Sequence, residues 1–265
     1  MFGEKPRAGR LGRPEGIARS FWRVAFGDLG KLIALNLLFL VVVLPSGVLY
    51  ALVLTAGGGA WAFVSAVVTS LPVGGAVGAS VFCVAQLLQR ESLSVWSDFT
   101  RKFVETWRSL ALPGVFIASF IFSQLYFWSM VFSGADVSAW EAVLLLLSLC
   151  VVLMVAPYVF LQVAYLDASV TRTLVNAAVL ASANGWRTFL GMVCAGFSWF
   201  AIALFLPVSL VLVPGVVLIG FSLTFLASLV FIWPAVDAQF GISDELRARQ
   251  AKGVRHVIPL FDPPE

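Results

Sequence analysis

The sequence has one histidine, three cysteines and charged residues at only 12% of its positions. Each scarcity excludes something. A single histidine, His256, rules out a histidine-rich metal site and the HExxH helix of a zinc protease. Cys83, Cys150 and Cys194 are far apart, form no CxxC pair and sit in apolar runs. They read as small buried side chains, not as a disulfide framework or a zinc site. There is no glycine-rich phosphate loop, no dinucleotide fingerprint, no GxSxG elbow and no SxxK pair in a suitable context. No ionisable residue falls near the middle of an apolar run, where proton relays place theirs. Asp136, Glu141, Asp167 and Asp237 lie near the ends. Neither a catalytic, a cofactor-binding nor a metal-binding residue is expected, and the chain is expected not to be an enzyme.

What the sequence does have is apolar surface. Hydrophobic residues make up 60% of it, and the mean hydropathy is +0.98. Soluble domains carry about a quarter charged residues, so this chain cannot cover itself with solvated side chains. The expected class is an all-α polytopic membrane protein, because lipid leaves backbone groups to bond within a helix. Six spans are expected, at residues 32–54, 61–88, 110–132, 141–164, 189–209 and 214–233. Each reaches the ~20 residues that a bilayer demands. The last two divide a continuous uncharged run at "LPVSLVLVPG", where Pro207 and Pro214 break helical bonding. The second contains "SLPVGGAVG" and is longer than a straight span needs, so it is expected to be kinked or tilted.

The domain reading follows. Residues 1–31 form a basic segment with an interfacial helix, too polar for a signal peptide. Residues 32–233 form the six-span domain. Residues 234–265 form a tail, with a short helix at "SDELRARQAK" capped by Ser243.

All 17 lysines and arginines fall in four segments: before the first span, between the second and third, between the fourth and fifth, and after the sixth. The three alternate loops have none. The positive-inside rule then puts both termini in the cytoplasm. Trp22, Trp96, Trp107, Trp186 and Trp233 fall near the inner interface, and Trp61 and Trp140 near the outer one, as an aromatic belt would.

Two cytoplasmic helices are expected between spans, at about 93–109 and 168–187. In "SVWSDFTRKFVETWRSL", helical spacing gathers Trp96, Phe99, Phe103, Trp107 and Leu110 on one stripe. Asp98, Arg101, Lys102, Glu105 and Arg108 take the other side as a partner-docking face. The helix is expected to lie in the membrane interface. In the second, Val170, Leu174, Ala177 and Ala181 share a face suited to close packing. Trp-Arg occurs at Trp22-Arg23, Trp107-Arg108 and Trp186-Arg187, which suggests three repeats of a cytoplasmic helix followed by a transmembrane hairpin.

Within the spans, Asn36, Gln86, Gln124, Gln162 and Asn176 are candidates for interhelical hydrogen bonds. Pro45, Pro72 and Pro157 interrupt helices, and Gly74 and Gly78 form a GxxxG. Packing explains that cluster; an unwound segment lining a polar cavity is the sharper alternative.

"ALNLLFLVVVLP", followed by "LPVGGAVGASVFCVAQLLQRESLSVWSDFTRKFVETWRSLAL", resembles the YesL-like family of bacterial membrane proteins, a domain of unknown function. The matching features are Asn36-Leu37-Leu38, Pro45, Leu71-Pro72, Ser97-Asp98-Phe99 and Asn176-Ala177, within residues 20–235. This chain has more apolar residues between Pro45 and Leu71 than the family pattern. The resemblance implies a protein of the bacterial inner membrane, accessory to a carbohydrate uptake system of the ABC type. The expected partners are the bilayer and a sugar-transporter permease subunit, with no nucleic acid and no cofactor. A solute carrier or channel in its own right is the alternative.

Overall fold

The fold is described from a computed structural model, for residues 16–56, 60–89, 93–134, 136–166, 170–205 and 212–242. These residues form nine helices and no strand: α1 (Ile17–Gly27), α2 (Leu29–Ala56), α3 (Ala60–Thr69), α4 (Leu71–Leu88), α5 (Val95–Phe132), α6 (Ala139–Tyr165), α7 (Val170–Ala183), α8 (Gly185–Phe205) and α9 (Leu212–Phe240). Five stretches among the described residues are long and apolar enough to cross a membrane: Leu29–Val53, Phe63–Leu88, Val95–Phe132, Ala139–Tyr165 and Ile219–Phe240. The fifth expected span falls on α8, whose later side chains lie outside the described residues. The long uncharged run is two helices, α8 ending at Phe205 and α9 starting at Leu212. Pro214 is tolerated in the first turn of α9, where its missing N–H has no helical acceptor. α9 continues to Phe240, past the expected end at residue 233; the expected tail helix lies outside the described residues.

The proline expectations need correction. Pro45 and Pro157 sit inside continuous helices. Pro72 instead opens α4, and the second span is two helices meeting at Ser70. The joint is a turn, not an unwound segment: Ser70 keeps helical dihedrals, φ −84° and ψ −9°. Its N–H bonds back to the Ala66 and Val67 carbonyls, both at 3.1 Å. Pro72 is helix-competent in φ and lacks only a donor, so the chain passes from α3 to α4 without unravelling.

α4 is the centre of the bundle. Fourteen of its 18 residues are buried, against α2, α5, α6 and α9. Glycine, alanine and serine make this possible, since without a hydrophobic drive in lipid, helices associate through close packing. The tightest crossing is with α5. A methyl group on Gly74 would run into the Leu110 carbonyl oxygen, and one on Gly114 into the backbone of Gly74. On Gly75 it would lie 2.8 Å from the Trp107 Cβ, and on Gly78 it would meet the Leu110 side chain. The GxxxG is thus a packing seam, as the simpler reading held. Gly114, on the facing helix, is its other half.

Burial divides the bundle lengthwise. One half exposes large apolar side chains: Val41, Leu44, Val48 and Leu52 on α2; Leu112, Phe116 and Leu125 on α5; Val143, Leu147 and Val151 on α6. The other half is packed. It holds Val24 and Ala25 of α1, Leu32 and Leu35 of α2, most of α4, the start of α5, residues 158–165 of α6 and residues 226–236 of α9. The described lysines and arginines gather at this packed end.

α5 overturns the expectation of a separate interfacial helix. The amphipathic segment and the third span are one helix of 38 residues, about 57 Å at 1.5 Å per residue. Ser94 starts it, and its N–H donates to the Asp98 carboxylate at 2.9 Å. Nothing between Ser94 and Pro113 breaks the helix, and Pro113 lies inside it. Its buried face is also rotated from the expected stripe, by roughly 50° on a helical wheel. Phe99, Lys102, Thr106 and Leu110 are buried, whereas Trp96 is 71% exposed. Apolar residue type set the expected stripe; the shape of the glycine seam sets the real one.

α7 shows a smaller shift. Ala177 and Ala181 are buried as expected, joined by Thr173 and Leu180, but Leu174 is 48% exposed. Trp233 is buried against Tyr165, with ring centroids 5.5 Å apart, so it is a core residue and not part of a belt. The Trp-Arg pairs fall in unlike places: within α1, within the unbroken α5 and at the start of α8.

Candidate functional site at the packed end

Helix termini and side chains converge at the packed end. Arg23 of α1 reaches the C-terminus of α4 and donates to the carbonyl oxygens of Leu87 at 3.3 Å and Leu88 at 2.9 Å. These carbonyls belong to the last turn of α4, at the negative end of the helix dipole, so a guanidinium is a fitting cap. Behind them runs an aromatic chain: Phe82 lies 5.1 Å from Tyr165, which contacts Trp233. The Gln89 amide donates to the Tyr165 hydroxyl at 3.4 Å. A cleft of about 70 Å³ opens beside this chain, lined by Ile17, Ser20, Leu88, Val230, Trp233 and Pro234. That is well below the ~300 Å³ at which ligand pockets begin.

The expected docking face splits. Asp98, Arg101 and Glu105 pair along α5: Arg101 lies 3.1 Å from Asp98 and 3.9 Å from Glu105. Arg108 is exposed, its guanidinium 5.6 Å from the Trp107 ring. Lys102 does not belong to this face. It is only 8% exposed, and its ammonium sits 5.1 Å from the Phe82 ring centroid and 3.2 Å from a Glu105 oxygen. The long apolar stem lets lysine bury its carbons while the charge finds a π face and a carboxylate. The wheel rotation that buries Thr106 carries Lys102 inward with it.

The intramembrane polar positions also divide. Asn36 links α2 to α9: its Oδ1 accepts from the backbone N–H of Ser222 at 3.0 Å. Gln124 links α5 to α6, donating toward the Leu145 carbonyl and the Ser148 hydroxyl, both at 3.4 Å. Gln162 makes no such link. It is 1% exposed, and neither its Oε1 nor its Nε2 has a partner among the described residues. Gln86 is buried too, with an unpartnered Oε1. Asn176 is half-buried on α7 and shows no interhelical bond among the described residues. The expectation of an interhelical hydrogen bond therefore fails for Gln86, Gln162 and Asn176.

Sequence reasoning missed Arg23 as a cap and Thr188 as a tie. The Thr188 hydroxyl lies 2.8 Å from that of Tyr158 and 3.1 Å from the Asn184 carbonyl. It can accept from the tyrosine and donate to the carbonyl, pinning the α7–α8 corner to α6. Only the Trp-Arg recurrence hinted at Arg23. Glu141 is the boundary marker that its position suggested, completing a capping box with Ser138 at the start of α6. Among the described residues, no group of three or more histidine, cysteine or acidic side chains is placed to hold a metal ion. No family model matches this chain, and neither does any curated protein or solved structure.

Proposed function

We propose that the chain is a non-enzymatic scaffold of the bacterial inner membrane. In this reading it crosses six times, with both termini cytoplasmic, and docks a membrane partner through its packed end. The observation that carries the reading is α5. Glu105 and Arg108 are exposed on a helix that runs on unbroken into an apolar span. Exposed charges do not belong in hydrocarbon, so the hydrocarbon boundary crosses α5 near Arg108. Gly75 lies against Trp107, so the same boundary crosses α4 near Gly75–Gly78. The remaining ten residues of α4 then extend about 15 Å from that boundary, through the headgroup layer. Around them stand the start of α5, the end of α6 and the end of α9. The result is a platform built from continuous helices, rimmed by Asp98, Arg101, Glu105 and Arg108.

A platform on a bundle whose central helix buries 14 of its 18 residues suits holding a partner better than passing a solute. The resemblance to the YesL-like family supports a permease subunit of a carbohydrate ABC transporter as that partner. The threefold recurrence of Trp-Arg supports a repeat of helix and hairpin, although the three cytoplasmic helices join their spans differently. The test is affinity purification from membranes of cells grown on a complex carbohydrate. Recovery of the transporter's membrane subunits supports the scaffold; purification of the chain alone counts against it.

One observation favours a carrier or channel. Gln162, Gln86 and Ser80 hold buried polar atoms without partners among the described residues, as groups lining a transient polar path would. Solute uptake by liposomes containing only this protein would establish that reading instead.

A further inference from the structure

We infer that α7 and the first turn of α8 form an interfacial foot that binds acidic phospholipid. The inference needs a membrane, not the scaffold role. α7 has 14 residues, about 21 Å, too short to cross ~30 Å of hydrocarbon. Its inner face, Thr173, Ala177, Leu180 and Ala181, is buried. Thr188 fixes its C-terminal end through the Asn184 carbonyl and Tyr158. So anchored, α7 turns Leu174, Val175 and Val179 outward, each about half exposed or more.

The question is what covers that apolar face, and α8 supplies the answer. Trp186, Phe189, Val193 and Phe197 are exposed at i, i+3, i+7 and i+11, a stripe running up one side of a helix. Trp186 and Phe189 stack, with centroids 6.1 Å apart and planes 24° apart. The stripe starts at Trp186, three residues beyond the end of α7, so the two apolar faces adjoin along the chain and the same lipid serves both. A tryptophan at its foot is the side chain that favours the headgroup level.

Charge then selects the lipid. Arg172, in the first turn of α7, and Arg187, beside Trp186, are both exposed. Neither has an ion pair among the described residues. Two guanidiniums flanking an immersed apolar face are placed to take phosphate oxygens from a lipid headgroup in bidentate bonds. Basic residues at such a surface draw the protein to acidic lipid, each adding to the attraction. α7 is therefore an amphipathic interfacial helix held at a fixed angle by its packed side.

The test uses the whole chain in detergent, titrated with phosphatidylglycerol, phosphatidylcholine or inorganic phosphate, with thermal unfolding as the readout. Phosphatidylglycerol should raise the midpoint, and the other two should not. Arg172→Gln with Arg187→Gln should weaken the phosphatidylglycerol response roughly tenfold or more in apparent affinity. Equal responses to phosphatidylglycerol and phosphatidylcholine, or to inorganic phosphate, would overturn the inference, as would an unaltered double variant. A second measurement leaves the arginines in place: a nitroxide on Val175→Cys, with Cys150 and Cys194 replaced by alanine, in liposomes. It should be more accessible to oxygen than to a water-soluble nickel complex. Greater access to nickel, or protection from both in native membranes by a protein partner, would contradict the lipid assignment.

Discussion

Arg23 donates to the carbonyl oxygen of Leu88 at 2.9 Å, across 65 residues of sequence. Through this contact, with that to Leu87, α1 closes the C-terminus of the central helix. The bond is charge-assisted and partly buried, a class that contributes about 1.5–3 kcal/mol. Arg23→Ala should therefore lower stability by about that amount in a denaturant titration in mixed micelles. Arg23→Lys should recover only part of it, because an ammonium cannot span both carbonyls as the planar fork does.

The glycine seam makes a sharper prediction. Gly74→Ala and Gly114→Ala each force a methyl group into the opposing backbone, and backbone cannot swing aside. Each should cost about 1–3 kcal/mol. Gly47→Ala is the control: it lies on the same bundle, in α2, with nothing within 4 Å of the added carbon. It should be neutral, or stabilising by up to ~1 kcal/mol through helix propensity. Unfolding midpoints of the three variants in one detergent compare them directly.

Lys102 separates packing from docking. Lys102→Met keeps the stem and removes the charge, and replacing a buried ion pair by apolar atoms is often neutral. It should change stability by less than ~1 kcal/mol and leave partner capture intact. Phe82→Ala removes the ring under the ammonium and should cost about 3–5 kcal/mol. A Lys102→Met variant that folds but loses its partner would restore Lys102 to the docking face.

Five of the six expected spans were legible as long apolar helices, because lipid leaves the backbone no alternative to helix. The other falls on α8, and Arg101, Lys102 and Arg108 lie inside a helix instead of marking its end. The polar side chains were harder. Asn36 was recognisable as a bonding residue, yet its acceptance from the Ser222 amide depends on how α9 lies on α2. Gln162 looked the same in sequence and ended without a partner, because only the facing helix decides whether a donor is there. α5 misled for a related reason: the change from charged to apolar at Leu110 does not end the helix. Gly114 was legible only as a glycine in a span until Gly74 was set against it.

The central claim is that the rim of α5 meets a transporter subunit just outside the hydrocarbon. A photo-crosslinking residue at Arg108, activated in native membranes of cells grown on a complex carbohydrate, tests it most directly. The account predicts a covalent adduct with a membrane-spanning subunit of a carbohydrate transporter. Adducts with lipid alone, from a protein present beside an assembled transporter, would contradict it.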